Sequence, residues 1–281
     1  MTGSMVEASD SKGGAGGLVI VTGDGSEHRF VASRIAAIHP VRAILLCEPP
    51  PRRAWHRVLR RAPLRFLDKA LWRVFLRVVG DRRSRTIALA DVLGPDSTAF
   101  PPGIPIIPVG RPRVGQLEAV LVAHAPDVIA VYGTGLVPDA ALAQARQIAL
   151  NLHTGISPQY RGTDSAFWPI HNGEPKWVGA TVHECIAALD GGRIFATCHA
   201  PPRMGDDLHR IFARAVRAGA EAYVGVIALA LAGSIEGVAQ DLSQGREYTG
   251  TERGFVSEIH ARRRLARMQA DFLPLEQDAA P

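Results

Sequence analysis

DVIAVYGTGLVPDAALAQARQIALNLH, residues 127–153, is the stretch whose reading decides the fold. It opens on the apolar run DVIAVYG (127–133), passes through a helical pattern from Pro138 to Ala145, and closes on a second apolar run, IALNLH (148–153). Two near-continuous apolar strands joined by a helix make a βαβ unit, and strands of that kind are covered on both faces. The same alternation runs upstream. GLVIVT (17–22) reads as a strand, Gly23-Asp24-Gly25 as a tight turn, Ser26 to Ile38 as a helix, and VRAILLC (41–47) as the next strand. IPIIPV (104–109) and a helix from Val114 to His124 then lead into the deciding stretch. Repeated alternation predicts an α/β fold: a mostly parallel twisted sheet with helices on both faces and right-handed crossovers. Ligands on such sheets bind beyond the C-terminal ends of the strands. That expectation singles out Gly23–Ser26, Gly133–Leu136 and the residues from Asn151 onward.

Two segments depart from the alternation. Residues 52–85 hold twelve Arg or Lys against two acidic residues, Asp68 and Asp81. Trp55, Leu59, Leu67, Leu71, Phe75 and Val78 recur there at helical spacing, and Pro63 is expected to separate two helices. This is read as a basic helical insertion, 50–86, followed by a Pro- and Gly-rich loop over 91–103. The bland reading of the insertion is a solvated helical face; the functional one is contact with an anionic nucleotide or, through 52–85, peripheral contact with a membrane surface. After residue 175, VGATVHECIAAL and RIFATCHAP read as two antiparallel strands around Asp190-Gly191-Gly192. A long helix is expected from Asp206 to Leu231 with Asp206 as its cap, then a polar tail from Ser243 and a basic helix over 257–272. The expected organisation is a disordered lead (1–16), a main domain (17–204) and a helical C-terminal extension (205–281).

Composition bounds the class. The chain has 281 residues, 47% of them hydrophobic and 21% charged, enough for one large domain with a sizeable core. Three scattered cysteines, Cys47, Cys185 and Cys198, argue against a disulfide scaffold. No apolar run reaches the roughly 20 residues of a membrane span, and the Gly/Ser-rich start lacks the apolar stretch of a signal peptide. The protein is therefore expected in the cytoplasm. A net charge of +5 favours anionic partners without naming one.

The chemistry concentrates in NLHTGISPQYRG, residues 151–162. Alternation along a strand puts Asn151 and His153 on the same side of the sheet. The following Gly, Pro and Gly fix an irregular loop, and Asp190 lies in a turn able to aim a carboxylate into a cleft. Asn, His and Asp together suit acyl transfer to an amine. An amide and a protonated imidazole stabilise an oxyanion, and a carboxylate holds the imidazole or relays the proton that the attacking amine must lose. On the residues alone a structural histidine is an equal reading. The loop Thr22–Arg29 lacks the third glycine of a dinucleotide fingerprint. It reads as a tight turn or, at Gly25 and Ser26, as an acceptor contact; Tyr160 and Arg161 are read in the same two ways. His183, Cys185, Cys198 and His199 lack metal-ligand spacing, so no metal site is expected.

VIAVYGTGLVP, NLH, P-x-YRG, FWPIHNGE, VGATVHE and LDGGRI occur in order over 127–195, and this ordered set resembles the folate-dependent formyltransferases. The superfamily includes methionyl-tRNA, glycinamide ribonucleotide and sugar N-formyltransferases and formyltetrahydrofolate hydrolase. The resemblance implies a Rossmann-like formyltransferase fold, 10-formyltetrahydrofolate as formyl donor, and Asn151, His153 and Asp190 as the catalytic residues. It also implies a pterin pocket built largely from backbone, at Thr134, Gly135, Leu136 and Val137 and at Cys185, Ile186 and Ala188. Gly155-Ile156-Ser157-Pro158 departs from the Ser-Leu-Leu-Pro of many relatives, which leaves the acceptor open. The expected acceptor is a small-molecule primary amine, phosphorylated or nucleotide-linked, with an amino sugar the first choice. No nucleic acid partner is expected, since 205–281 reads as helical where tRNA-acting relatives have a barrel-like domain. A hydrolase of the same fold and a non-catalytic folate or nucleotide binder are the rival readings, and the C-terminal helices leave room for a homodimer.

Overall fold

A computed structural model describes residues 17–49, 62–113, 115–272 and 274. The expected lead (1–16), the first part of the insertion with Trp55 and Leu59, and the end of the tail lie outside the described residues.

In chain order the elements are β1 (Leu18–Thr22), α1 (Ser26–Ala36), β2 (Val41–Cys47), α2 (Pro63–Val78), α3 (Asp81–Leu93), β3 (Ile106–Gly110), α4 (Leu117–His124), β4 (Val128–Tyr132), α5 (Asp139–Leu142), β5 (Ile148–His153), β6 (Tyr160–Gly162), α6 (Trp168–Asn172), β7 (Gly179–Glu184), β8 (Ile194–His199), α7 (Leu208–Leu231), β9 (Arg246–Tyr248) and α8 (Phe255–Met268). Seven strands form one sheet in the order β3-β2-β1-β4-β5-β7-β8. The first five run parallel, and β7 and β8 close the sheet antiparallel. β1 and β4 are apolar but for Thr22 and the Tyr132 hydroxyl, and are buried at every position. They sit at the centre because only there are both faces covered.

Helices cover both faces. On one, Phe30, Val31 and Ile35 of α1, Leu89, Val92 and Leu93 of α3, and the buried side of α7 close over the sheet. On the other, Leu117 and Leu121 of α4 and Ala141 and Leu142 of α5 do the same. The helix α7, expected to begin an extension beyond residue 204, lies across β5, β7 and β8 and is part of this core. Gly219 permits that approach: a Cβ there would lie 2.6 Å from Ala180 Cβ and 2.8 Å from a Leu152 methyl. Tyr223, fully buried on α7, donates its hydroxyl to the Leu150 carbonyl at 2.9 Å and ties helix to sheet.

Several boundaries differ from the sequence reading. The α7 cap is Asp207, whose carboxylate accepts from the N–H groups of His209 and Arg210, while Asp206 is buried against Arg214 at 3.0 Å. Residues 91–93, expected as loop, are the last turn of α3. Its face Ala88, Leu89, Val92 and Leu93 is buried, and Gly94 at φ 72° ends the helix. Pro63 opens α2 as expected for a first turn. The polar tail holds β9, which pairs in parallel with β6.

Candidate active site

The C-terminal ends of β4 and β5 and the loop before β8 meet in a cleft of about 320 Å³, lined by His28, Tyr132, Thr134, Asn151, His153 and Asp190 among others. Asn151 and His153 project from β5 as the two-residue alternation requires. Asp190 reaches them from a turn in which its own backbone is left-handed, φ 49°. Aspartate tolerates that region better than most residues. Gln240, from the segment after α7, holds the turn in place by donating to the Asp190 carbonyl at 2.9 Å and to the Gly192 carbonyl.

Asp190 Oδ2 lies 3.4 Å from His153 Nδ1 and accepts the Gly162 N–H at 2.8 Å; its Oδ1 lies 3.4 Å from His183 Nε2. His153 Nε2 meets the Tyr160 carbonyl at 3.0 Å, and His183 Nδ1 meets the Glu184 carbonyl at 2.8 Å. A carbonyl only accepts, so each of those nitrogens carries the hydrogen. The neutral ring then presents a lone pair to Asp190, and only the imidazolium donates on both sides. Asp190 is buried, which raises its pKa, yet the His153 charge, the His183 hydrogen bond and charge and the Gly162 N–H outweigh burial and hold it at about 2. The site thus contains a firmly ionised carboxylate between two imidazoles. Asn151 Nδ2 lies 3.1 Å from His183 Nε2. With the His183 ring neutral, that nitrogen accepts one Asn151 N–H, and the second N–H remains for a ligand.

The structure brings Asn151, His153 and Asp190 together, and adds His183, which the sequence reading weighed only as a poor metal ligand. Its place on β7 opposite Asn151 on β5 is a register fact, readable only once the strands are paired. Among the described residues no cluster of His, Cys, Asp and Glu is arranged to hold a metal ion.

Of the expected donor-binding residues, Thr134 and Gly135 line the cleft. Leu136 and Ile186 are exposed apolar side chains, Cys185 packs at the edge of the second core, and Val137 is buried within it. Ala188 is exposed, and the cleft is lined beside it by Leu189. Gly133 and Gly135 take positive φ, 65° and 76°, and nothing lies within 4 Å of a Cβ built at Gly135. The loop therefore offers open backbone beside Asn151, which fits a flat ring bearing amide groups.

The expected acceptor contacts are placed differently. Gly25 is the cap position of α1, and Glu27 and His28 line the cleft rather than Gly25 and Ser26. Burial lowers the His28 pKa, with Glu27 opposing it. The Tyr160 side chain is buried away from the cleft and its hydroxyl binds Glu174; it is the Tyr160 carbonyl that serves the site, through His153. Arg161 donates to the Leu242 carbonyl and does not line the cleft. A second chamber of about 380 Å³ shares Thr154, Gly162 and Phe212 with the cleft. Its walls are Trp72 and Leu76 of α2, Asp81 and Arg85 of α3, Phe167 and Arg253. Arg85 also pairs with Glu27 at 2.6 Å, which joins α3 to the cleft.

A sheet of this order carries an Asn–His–Asp cluster beyond β5. Residues 112–227 match the family described as formyl transferase. The chain is 33% identical over 144 residues to the methionyl-tRNA formyltransferase of Anaeromyxobacter sp. (strain K), covering 50% of this chain and 46% of that one. Its fold is similar to a sugar N-formyltransferase from a Shewanella species (TM-score 0.56, 13% identity, 90% of this chain and 89% of that chain). It is likewise similar to an N-formyltransferase from Helicobacter canadensis (TM-score 0.55, 14% identity, 92% and 84%). Over this region the chain is similar to the formyltransferase superfamily. It spans about half the length of the curated relatives it matches.

Proposed function

We propose that this protein moves a formyl group from 10-formyltetrahydrofolate to a primary amine of a small molecule, with a nucleotide-linked amino sugar as the acceptor. The carrying observation is that Asn151, His153 and Asp190 line one cleft, with Asn151 hydrogen-bonded to His183 and both imidazoles 3.4 Å from the Asp190 carboxylate. The donor supplies the formyl carbon: the amine nitrogen bonds to it, its bond to the folate nitrogen breaks, and the proton the amine gives up ends on that folate nitrogen.

Each residue has a part in that exchange. The free N–H of Asn151 donates to the oxygen on which negative charge develops, and the His153 imidazolium adds positive charge beside it. His183 fixes the Asn151 amide. Asp190 holds the charged His153 ring as its counter-charge, and the proton the amine releases is relayed to the departing folate nitrogen. The open backbone at 133–135 and the exposed Leu136 and Ile186 suit the pterin, and the chamber walled by Trp72, Phe167, Arg85 and Arg253 suits the acceptor. The structure from Helicobacter canadensis is described in complex with folinic acid and dTDP-3-aminofucose, which supports the same pairing of ligands here.

The test is tetrahydrofolate release from 10-formyltetrahydrofolate with and without a panel of nucleotide-linked amino sugars, with methionyl-tRNA as a further acceptor. Amine-dependent release that disappears in His153→Ala supports the proposal. Release with methionyl-tRNA alone moves the acceptor assignment, and absence of release with any amine removes the function.

A further inference from the structure

The helix α2 is amphipathic the wrong way round for a packed protein. Leu64, Leu67, Leu71, Val74 and Val78 form one stripe, within an arc of about 80° at roughly 100° per residue. All five side chains face solvent, with Leu64 81% and Val78 80% exposed. Among the described residues of α2 none is fully buried. A run of single exposed leucines needs no explanation, but a contiguous apolar stripe along a whole helix does.

The other side of α2 explains how the helix is held. Asp68 accepts from the Val256 N–H at the start of α8, Lys69 donates to the Gly250 carbonyl at 3.0 Å, and Phe75 packs edge-on against Phe255 at 5.6 Å. Trp72 donates to the buried carboxylate of Glu258. The stripe is therefore left outward by a helix that is anchored, not by one that floats.

Charge identifies the occupant. Arg65, Arg77, Arg82 and Arg83 are exposed and pair with no carboxylate among the described residues. Arg77, Arg82 and Arg83 surround a shallow depression with Leu76, Gly80 and Thr86 at the corner between α2 and α3, next to the end of the stripe. In sequence, residues 52–85 carry twelve basic residues against two acidic ones. A second copy of the chain on this face would bring two arginine-rich rims together at a cost. An anionic lipid surface satisfies stripe and rim at once: apolar side chains enter the headgroup boundary, and the guanidinium groups meet phosphates. The helix spans 16 residues, about 24 Å, and lies flat on such a surface.

We propose that α2 and the α2–α3 corner form a docking face for an anionic lipid membrane. The proposal does not depend on the formyl transfer. The same helix walls the second chamber with Trp72 and Leu76, so docking sets that chamber beside the membrane surface.

The experiment is co-sedimentation of the full chain with vesicles of phosphatidylcholine alone and with phosphatidylglycerol added, at low and high salt. The variants are Leu67→Glu/Leu71→Glu, Arg77→Glu/Arg83→Glu and His153→Ala. The expected result is binding only to the vesicles containing phosphatidylglycerol, weakened at high salt. Each double variant lowers the partition at least tenfold, and His153→Ala leaves it unchanged. The soluble variants keep their circular dichroism because all four side chains are exposed. No binding to anionic vesicles, or binding indifferent to both double variants, overturns the proposal. So does a dimer in solution that Leu67→Glu/Leu71→Glu dissolves, since the stripe then belongs to a second copy.

Discussion

Replacing Asp190 by Asn removes a charge and changes almost no volume. The Asn amide tolerates the left-handed backbone at φ 49°. It also keeps an oxygen for the Gly162 N–H, which Asp190 accepts at 2.8 Å. What it loses is the ionic contact with His153 and His183. Burial raises the Asp190 pKa, but the imidazoles and the Gly162 N–H bring it from its ordinary 3.8 to about 2. A depression of that size stabilises the ionised form in the fold by about 2 kcal/mol. A folded pKa below the unfolded one gives stability that is complete above the unfolded value and is lost as pH falls toward the folded value. Wild type should therefore exceed Asp190→Asn by about 2 kcal/mol in urea unfolding above pH 5, with the gap closing between pH 4 and pH 2. Amine-dependent turnover in the same variant should fall by about 10²–10⁴-fold, since the counter-charge that holds the imidazolium is gone while the cleft is intact. A variant as stable as wild type at pH 6, with turnover within tenfold, would refute the assignment of Asp190 as the charge that organises the site.

Other changes test the supports around it. Gly155→Ala places a Cβ 2.6 Å from His153 Nε2 and 2.7 Å from the Tyr160 carbonyl, so kcat should drop at least tenfold with donor binding retained, measured by folate fluorescence titration. Gly219→Val wedges α7 off β5 and β7 and should lower stability by about 1–3 kcal/mol in thermal unfolding, with little effect on KM. Arg253→Ala removes the partner of Asp164 at 2.7 Å and one of the two arginine partners of the buried Glu258. A loss of about 2–4 kcal/mol is expected, with a raised KM for the acceptor because Arg253 walls the second chamber. Gln240→Ala frees the Asp190 turn, and its effect should appear in kcat more than in stability.

Much of this architecture was legible in the chain because burial on both faces writes itself as uninterrupted apolar residues. VRAILLC and IALNLH became β2 and β5 with the expected ends. Helix ends were harder. Asp206 and Asp207 are equally good caps by type, and only the pairing of Asp206 with Arg214 decides between them. The three-residue strands β6 and β9 are too short to show a period, and their pairing joins residues far apart in sequence. In the site, Asn151, His153 and Asp190 were readable from strand alternation and ordered motifs. His183 was hidden because its role depends on the register between β5 and β7. Tyr160 contributes through a carbonyl, which no side-chain pattern encodes. Glu27 and His28, rather than Gly25 and Ser26, line the cleft because α1 begins at Ser26 and turns its next two residues toward Tyr132 and Arg85.

Isotopic labelling of the donor tests the central claim most directly. The protein is incubated with formyl-labelled 10-formyltetrahydrofolate and a nucleotide-linked amino sugar, and the label is located by mass spectrometry. The account predicts label on the acceptor nitrogen as a formamide, formed by wild type and absent with His153→Ala. Label recovered as formate whether or not the amine is present would contradict it, since water and not an amine would then be the group that the Asn151–His153–Asp190 site serves.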